Sequence, residues 1–231
     1  MIKFADDTCI MGLLSGSSVF DLPVYRKEIE KFVNWCVEHD LQLNVPKTKE
    51  LIIDFRQSDI NHEPIVINGE EVAIVEKYKY LGMIIDLLDW HAHAASVKSK
   101  INQRLYFVRK LSFFNVNKTI SLFYKAVIQP VFSFCISVWG GNVNSKDKNK
   151  INKCIKTASK ITNIKQENFN LIFENACNRK LTKILEDPTH QLYSLIKFSP
   201  RSGRILFFKT RRERYIRLFL PTAVRLRNQR R

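Results

Sequence analysis

Asp6 and Asp7 stand side by side in the opening stretch MIKFADDTCIMGLL, with a short apolar run on either side. Carboxylate oxygens are hard ligands suited to Mg2+ or Mn2+, and two neighbouring aspartates on a tight hairpin can be aimed at one shared ion. Two such ions ~3.5–4 Å apart would grip the attacking and leaving oxygens of a nucleotidyl transfer. An ordinary acidic turn carries the same two residues, so the pair takes its meaning from what surrounds it. His91 and His93 form a second constellation, His-Ala-His just after Asp89. Without a third ligand nearby they read as surface histidines at a helix start. A third is a run of bases, Lys98, Lys100, Arg104, Arg109 and Lys110, spaced to follow a phosphate backbone along one helix. A fourth is the C-terminal stretch KTRRERYIRLFLPTAVRLRNQRR. There Arg211, Arg212, Arg214, Arg217, Arg225, Arg227, Arg230 and Arg231 are interspersed with Tyr215, Phe219 and Leu220, a mixture able to bind RNA by charge and stacking.

The elements that must position these residues can be read from periodicity. Residues 2–4 and 8–14 are apolar around an acidic link and predict a β-hairpin with the aspartates at its tip. Leu22, Tyr25, Ile29, Phe32, Val33 and Cys36 recur at helical spacing behind Pro23, which predicts a helix over 21–39. LQLNVPKTKELIIDF gives an extended segment, a turn and a strand at 50–55. Asn68-Gly69 between two apolar runs is a hairpin signal. KYKYLGMIID supplies further strand, with Tyr78 and Tyr80 expected to face the core. Beyond Trp90 the period becomes helical. Val97, Ile101, Leu105, Val108 and Leu111 predict a helix over 92–112, and NKTISLFYKAVIQPVFSFCISVWG a more apolar one kinked at Pro130. Residues 146–162 and 167–186 read as two more helices with basic outer faces. Trp35, Trp90 and Trp139 are expected in the core or at a domain junction. The fold class is α+β: an α+β segment over 1–90, a basic α-helical domain over 91–200 and an arginine-rich tail over 201–231.

At 231 residues, 45% hydrophobic and with 7 Gly and 7 Pro, the composition is that of an ordered globular protein. No apolar run is expected to reach the ~20 residues of a membrane span. Asp6 and Asp7 interrupt any signal-peptide pattern. Cys9, Cys36, Cys135, Cys154 and Cys177 are scattered and odd in number, as expected of reduced thiols in an intracellular, cytoplasmic or nuclear, protein. Charge separates the two halves. Residues 1–90 hold 9 Lys+Arg against 16 Asp+Glu, a balance of −7, while 91–231 hold 29 against 6, a balance of +23. Between Trp90 and Lys146 there is no carboxylate at all. Such a surface suits a polyanion, RNA or DNA, held without sequence reading.

Phe4-Ala5-Asp6-Asp7 on a hairpin followed by a helix resembles the palm of reverse transcriptases, whose hairpin carries two catalytic aspartates. LQLNVPKTKELIIDF is similar to the segment after the palm helix in non-LTR (LINE-type) retrotransposon polymerases. YKYLGMIID resembles their primer-grip hairpin. INQRLYFVRKL and FYKAVIQPVFSFCISVWGG look like the thumb and following helices of jockey-like, Rex-like elements. The motifs occur in the family's order and cover nearly the whole chain. The resemblance implies an RNA-directed DNA polymerase using Mg2+ or Mn2+, with Asp6 and Asp7 as metal ligands and Lys47 and Lys49 near the nucleotide phosphates. It also implies a partial palm over 1–90 and a thumb over 91–200.

In that family a third metal-binding aspartate, the fingers and the template channel lie upstream of the Ala-Asp-Asp hairpin, whereas five residues precede Asp6 here. The expectation is a truncated polymerase, inactive by itself, that retains non-specific nucleic-acid binding and needs no small-molecule cofactor. Two alternatives stand beside it: an active fragment that borrows a carboxylate from another chain, and a poorly folded remnant with an exposed sheet edge. Residues 91–130 also look like a small segment at the N-terminus of an AlkB-like, tRNA-modifying dioxygenase–methyltransferase. An oxygenase of that kind needs His-x-Asp plus a distant His for iron. No such motif and no Gly-rich cofactor loop is present, so that activity is not expected.

Overall fold

Ile2–Phe4 (β1) and Asp7–Cys9 (β2) pair antiparallel with Ile2 opposite Cys9 and Phe4 opposite Asp7. The computed structural model describes residues 1–13, 21–54, 63–87, 89–114, 117–206 and 211–229. Leu14, Phe55, Arg230 and Arg231, which the sequence reading placed in strands and tail, lie outside the described residues. Packing divides the chain into two units, Met1–Tyr78 and Lys79–Arg231.

In the first unit, helix α1 (Asp21–Glu38) carries Pro23 in its first turn, where a missing N–H costs nothing. Its inward face is the predicted one: Ile29 and Cys36 are buried, and Leu22, Tyr25, Phe32 and Val33 half-buried. Val45–Lys47 form a 3-10 turn capped by Asn44, whose Oδ1 accepts from the Lys47 N–H at 3.1 Å. β3 (Lys49–Glu50) pairs in parallel with β6 (Ala73–Ile74). β4 (Val66–Ile67) and β5 (Glu70–Glu71) form the predicted Asn-Gly hairpin, with Asn68 and Gly69 left-handed at φ 52° and 81°. The core is small: Ile29, Val45, Ile67 and Val72, flanked by Ile10, Tyr25, Val33, Leu43 and Ile65. Among the described residues, the expected strand at 50–55 is reduced to its first residue. The strands pair in twos rather than in a wider sheet.

Two expectations about aromatic residues are corrected. Trp35 is exposed, stacked between Phe32 at 6.2 Å and His39 at 4.4 Å, with the Lys3 ammonium 5.9 Å from its ring. Tyr78, on β7 (Lys77–Tyr80), is exposed as well, while Tyr80 is half-buried. β7 pairs with β8 (Met83–Asp86) across a turn in which Leu81 and Gly82 are left-handed, so among the described residues this is a two-stranded ribbon that leaves Tyr78 exposed.

The second unit is helical. α2 (His91–Ser112) buries Val97, Ile101, Leu105 and Val108 against α6 (Ser145–Thr162). The apolar stretch between them is broken rather than merely kinked. α3 (Asn117–Phe123) runs into a π turn (Tyr124–Ile128), then α4 (Gln129–Ser133), a left-handed Cys135 and α5 (Ile136–Trp139). Pro130 thereby falls in the first turn of α4, where it lacks nothing, and the disruption moves upstream into the π turn. The Arg104 guanidinium donates to the Val127 carbonyl inside that turn. Thr119–Trp139 has a mean hydropathy of 1.4 and by length and composition could cross a membrane, which corrects the expectation that no run reaches that length. Its buried face, Ile120, Tyr124, Ile128, Phe132, Ile136 and Trp139, belongs to the core of this unit.

α7 (Phe169–Glu186) adds Phe169, Cys177 and Leu181 to that core. The arginine-rich stretch folds onto it: α8 (Glu213–Ile216) leads into α9 (Phe219–Gln229), which packs on α7 and buries Thr222, Ala223, Val224 and Leu226. Asn228 makes two 3.0 Å hydrogen bonds to the Ile205 backbone, pinning α9 to the short ribbon of β9 (Lys197–Phe198) and β10 (Ile205–Leu206).

Candidate nucleic-acid interface

The two aspartates sit at an exposed turn. Ala5 is left-handed at φ 52°, Asp6 completes the turn and Asp7 opens β2, and both carboxylates face solvent. Among the described residues no His, Cys, Asp or Glu joins them in a group able to hold a metal ion. Two exposed carboxylates supply only part of the ligand set that a pair of divalent ions requires, so these residues do not by themselves fit a two-metal centre. Lys47 ends the 3-10 turn and is exposed. Lys49 opens β3 and its ammonium donates back to the Pro46 carbonyl at 2.9 Å.

In the helical unit three of the predicted bases are presented to solvent by α2 and two lie at its packed side. Lys100, Arg109 and Lys110 are exposed and Lys98 is half-buried. Arg104 belongs to the fold, since its guanidinium is engaged by Val127. A helix of 22 residues is about 33 Å long, enough to run beside roughly ten nucleotides at 3.4 Å each. The bases of the C-terminal stretch are exposed too: Arg217 pairs with Glu213 at 2.5 Å and Arg214 donates to the Leu87 carbonyl at 2.9 Å, both alongside Arg211 and Arg212.

Between α2 and α6 lies a groove of about 330 Å3 lined by His91, Lys98, Ser99, Asn102, Asp147 and Lys150 among others. Asp147 is buried there. Its Oδ2 takes a 2.6 Å contact from His91 Nδ1 and a 2.8 Å bond from Asn144 Nδ2, and its Oδ1 accepts from Lys150 at 2.8 Å. Asn144 in return caps α6 by accepting from the Asp147 N–H at 2.8 Å. Burial opposes ionisation of Asp147, but bonds from Lys150, His91 and Asn144 outweigh it and hold the carboxyl down at about 2. This site was not anticipated. Its one legible sign is Asn144-x-x-Asp147, a capping pattern ahead of an apolar-periodic helix.

The expectation that both histidines lie at the surface is corrected for His93. It is buried edge-on to Trp139 at 4.8 Å and accepts from the Ile84 N–H at 3.3 Å, and burial together with Lys100 pushes its pKa below the ordinary histidine value. His91 is half-exposed as expected.

A curated protein is similar to this chain in sequence. The chain is 26% identical over 145 residues to the RNA-directed DNA polymerase from mobile element jockey of Drosophila funebris. The likeness is one of sequence, to a retrotransposon polymerase. The match takes in 59% of this chain but 15% of the relative's length. No protein-family model matches the chain, and no solved structure matches it.

Proposed function

We propose that the chain corresponds to a C-terminal part of a non-LTR retrotransposon reverse transcriptase: end of palm, thumb and tail. In this reading the helical unit holds RNA or DNA by its phosphates and reads no sequence. The 231-residue chain does not polymerise DNA by itself. The observation that carries the binding is α2, whose core side is apolar while it presents Lys100, Arg109 and Lys110 to solvent, with half-buried Lys98 at the groove beside α6, in a stretch without a single carboxylate from Trp90 to Lys146. Phosphate contacts of this kind release counterions, so affinity falls steeply with salt and does not depend on Mg2+.

The inactivity rests on the donor set. Two-metal catalysis consists almost wholly of positioning and charge stabilisation. Asp6 and Asp7 are two carboxylates on an exposed hairpin with no third ligand gathered beside them among the described residues. Their exposure favours one second reading, in which another chain supplies the missing carboxylate and the metal.

The binding claim is tested by changing Lys98, Lys100, Arg109 and Lys110 together to Gln and measuring the affinity for a labelled oligonucleotide across a salt series. Each lost phosphate contact lowers the slope of log K against log salt by about 0.7–0.9, so the slope should fall by about 3 and the affinity by about 100-fold or more near physiological salt. An unchanged slope would show that the phosphates are held elsewhere.

A further inference from the structure

An exposed apolar stripe runs from the last turns of α2 into the turn that closes it. Tyr106, Phe107, Phe113 and Phe114 lie at i, i+1, i+7 and i+8 and are 54%, 56%, 78% and 74% exposed. Tyr106 and Phe107 lie on the outward side of α2, opposite Val97, Ile101, Leu105 and Val108, and Phe113 and Phe114 follow in the turn that closes the helix, their N–H groups bonded to the Lys110 and Leu111 carbonyls. Lys110 stands between the two aromatic pairs, its ammonium 5.6 Å from the Tyr106 ring centroid. Tyr106 and Phe107 meet edge-to-face at 5.7 Å and 79°, which fixes one ring against the other. Arg109 and Lys100 flank the stripe, and no carboxylate lies within it or within 16 residues of its N-terminal end, Asp89 lying 17 before Tyr106 and Asp147 beyond Phe114 by 33.

Resting on the reading of this unit as a nucleic-acid holder, we propose that the stripe is a stacking platform for unpaired nucleotides, so that α2 holds single strands in preference to duplex. Charge complementarity selects a polyanion, and the rings select its bases. In a duplex the base faces are stacked on one another and only phosphates meet the helix. In a single strand the faces are free to lie on exposed aromatic rings while the backbone meets Lys100, Arg109 and Lys110. Every base has a π face, so the platform reads no sequence. The two aromatic pairs are seven residues apart, about 10–12 Å at the rise of a helix that ends in a tighter turn, which is the span of roughly three stacked nucleotides.

The test uses the full chain, a labelled unstructured RNA of roughly 12 nucleotides, and the same RNA annealed to its complement. Two double variants, Tyr106→Ala with Phe107→Ala and Phe113→Ala with Phe114→Ala, remove exposed rings and should leave the melting transition in place. Each should weaken single-strand binding by about 10-fold or more while duplex binding changes by less than about 3-fold, and Phe113→Trp should restore or exceed the original affinity. The stacking proposal is overturned by equal losses on both RNAs, by no loss on either, or by loss of binding to phosphatidylserine vesicles or of self-association with single-strand affinity intact. None of those results touches the phosphate reading, which fails separately if the four-base Gln variant binds both RNAs as tightly as the unaltered chain.

Discussion

Gly141→Ala is expected to destabilise the helical unit by about 3 kcal/mol, near the upper end of ordinary overpacking costs. A Cβ placed on Gly141 would lie 1.8 Å from the Arg217 carbonyl oxygen and 3.1 Å from Phe173 Cζ. The nearest obstacle is backbone, which cannot swing aside as a long side chain would, so either the Gly141 loop or the end of α8 has to move. Arg217 closes α8, and α9 begins two residues later, so the displacement passes directly into the face that buries Ala223 and Val224 against α7. Gly141 is also tied from its other side, its carbonyl accepting from Lys148 at 3.4 Å. For a unit of this size the melting temperature should drop by about 10 °C, read by circular dichroism at 222 nm, the usual helix band, with the loss scaling at about 2–4 °C per kcal/mol. A variant that melts within about 2 °C of the unaltered chain would mean that α8 does not close over this loop.

Asp147→Ala is the second large loss, about 3 kcal/mol, because it leaves Lys150 and His91 without their shared anion and removes the bond that holds the capping Asn144 side chain in place. The same carboxylate gives stability a pH dependence whose sign follows from its shift. Its ordinary value is 3.8 and the fold holds it at about 2. As acid is added the unfolded chain takes up the proton first, so the contribution is complete above about pH 4 and is lost as pH falls towards 2. A carboxyl held down to that extent contributes on the order of 2 kcal/mol. Urea midpoints of the unaltered chain and of Asp147→Asn should therefore differ most near neutrality and converge in acid. A gap that stays constant down to pH ~2.5 would show that the carboxylate is not ionised in this cluster.

Where one face of a helix must be buried, the sequence announces it. The six apolar positions of α1 and the five of α2 emerge at the spacing that hides them, and Asn68-Gly69 makes its hairpin because those two residues accept a left-handed backbone. Features that depend on partners far along the chain were not legible. His91 reaches an Asp 56 residues away, and nothing local marks His93 as the residue that will sit beneath Trp139. Pro130 announced a disturbance but not its form, since the π turn that accommodates it is stabilised by Arg104 from another helix. Tyr78 and Trp35 looked apolar enough to be covered, yet the short strands and the small core of the first unit offer them no layer. Of the candidate site, the charge was legible and the exposed aromatic stripe beside it was not, because Tyr106, Phe107, Phe113 and Phe114 carry the same letters as core residues.

The most direct measurement is primer extension on poly-rA/oligo-dT with Mg2+ and then Mn2+, scoring retained substrate and lengthened primer in the same tube. The expected result is substrate held and no primer lengthened, with Asp7→Asn indistinguishable from the unaltered chain. Extension that disappears in Asp7→Asn would contradict it and make the exposed acidic turn a working metal site.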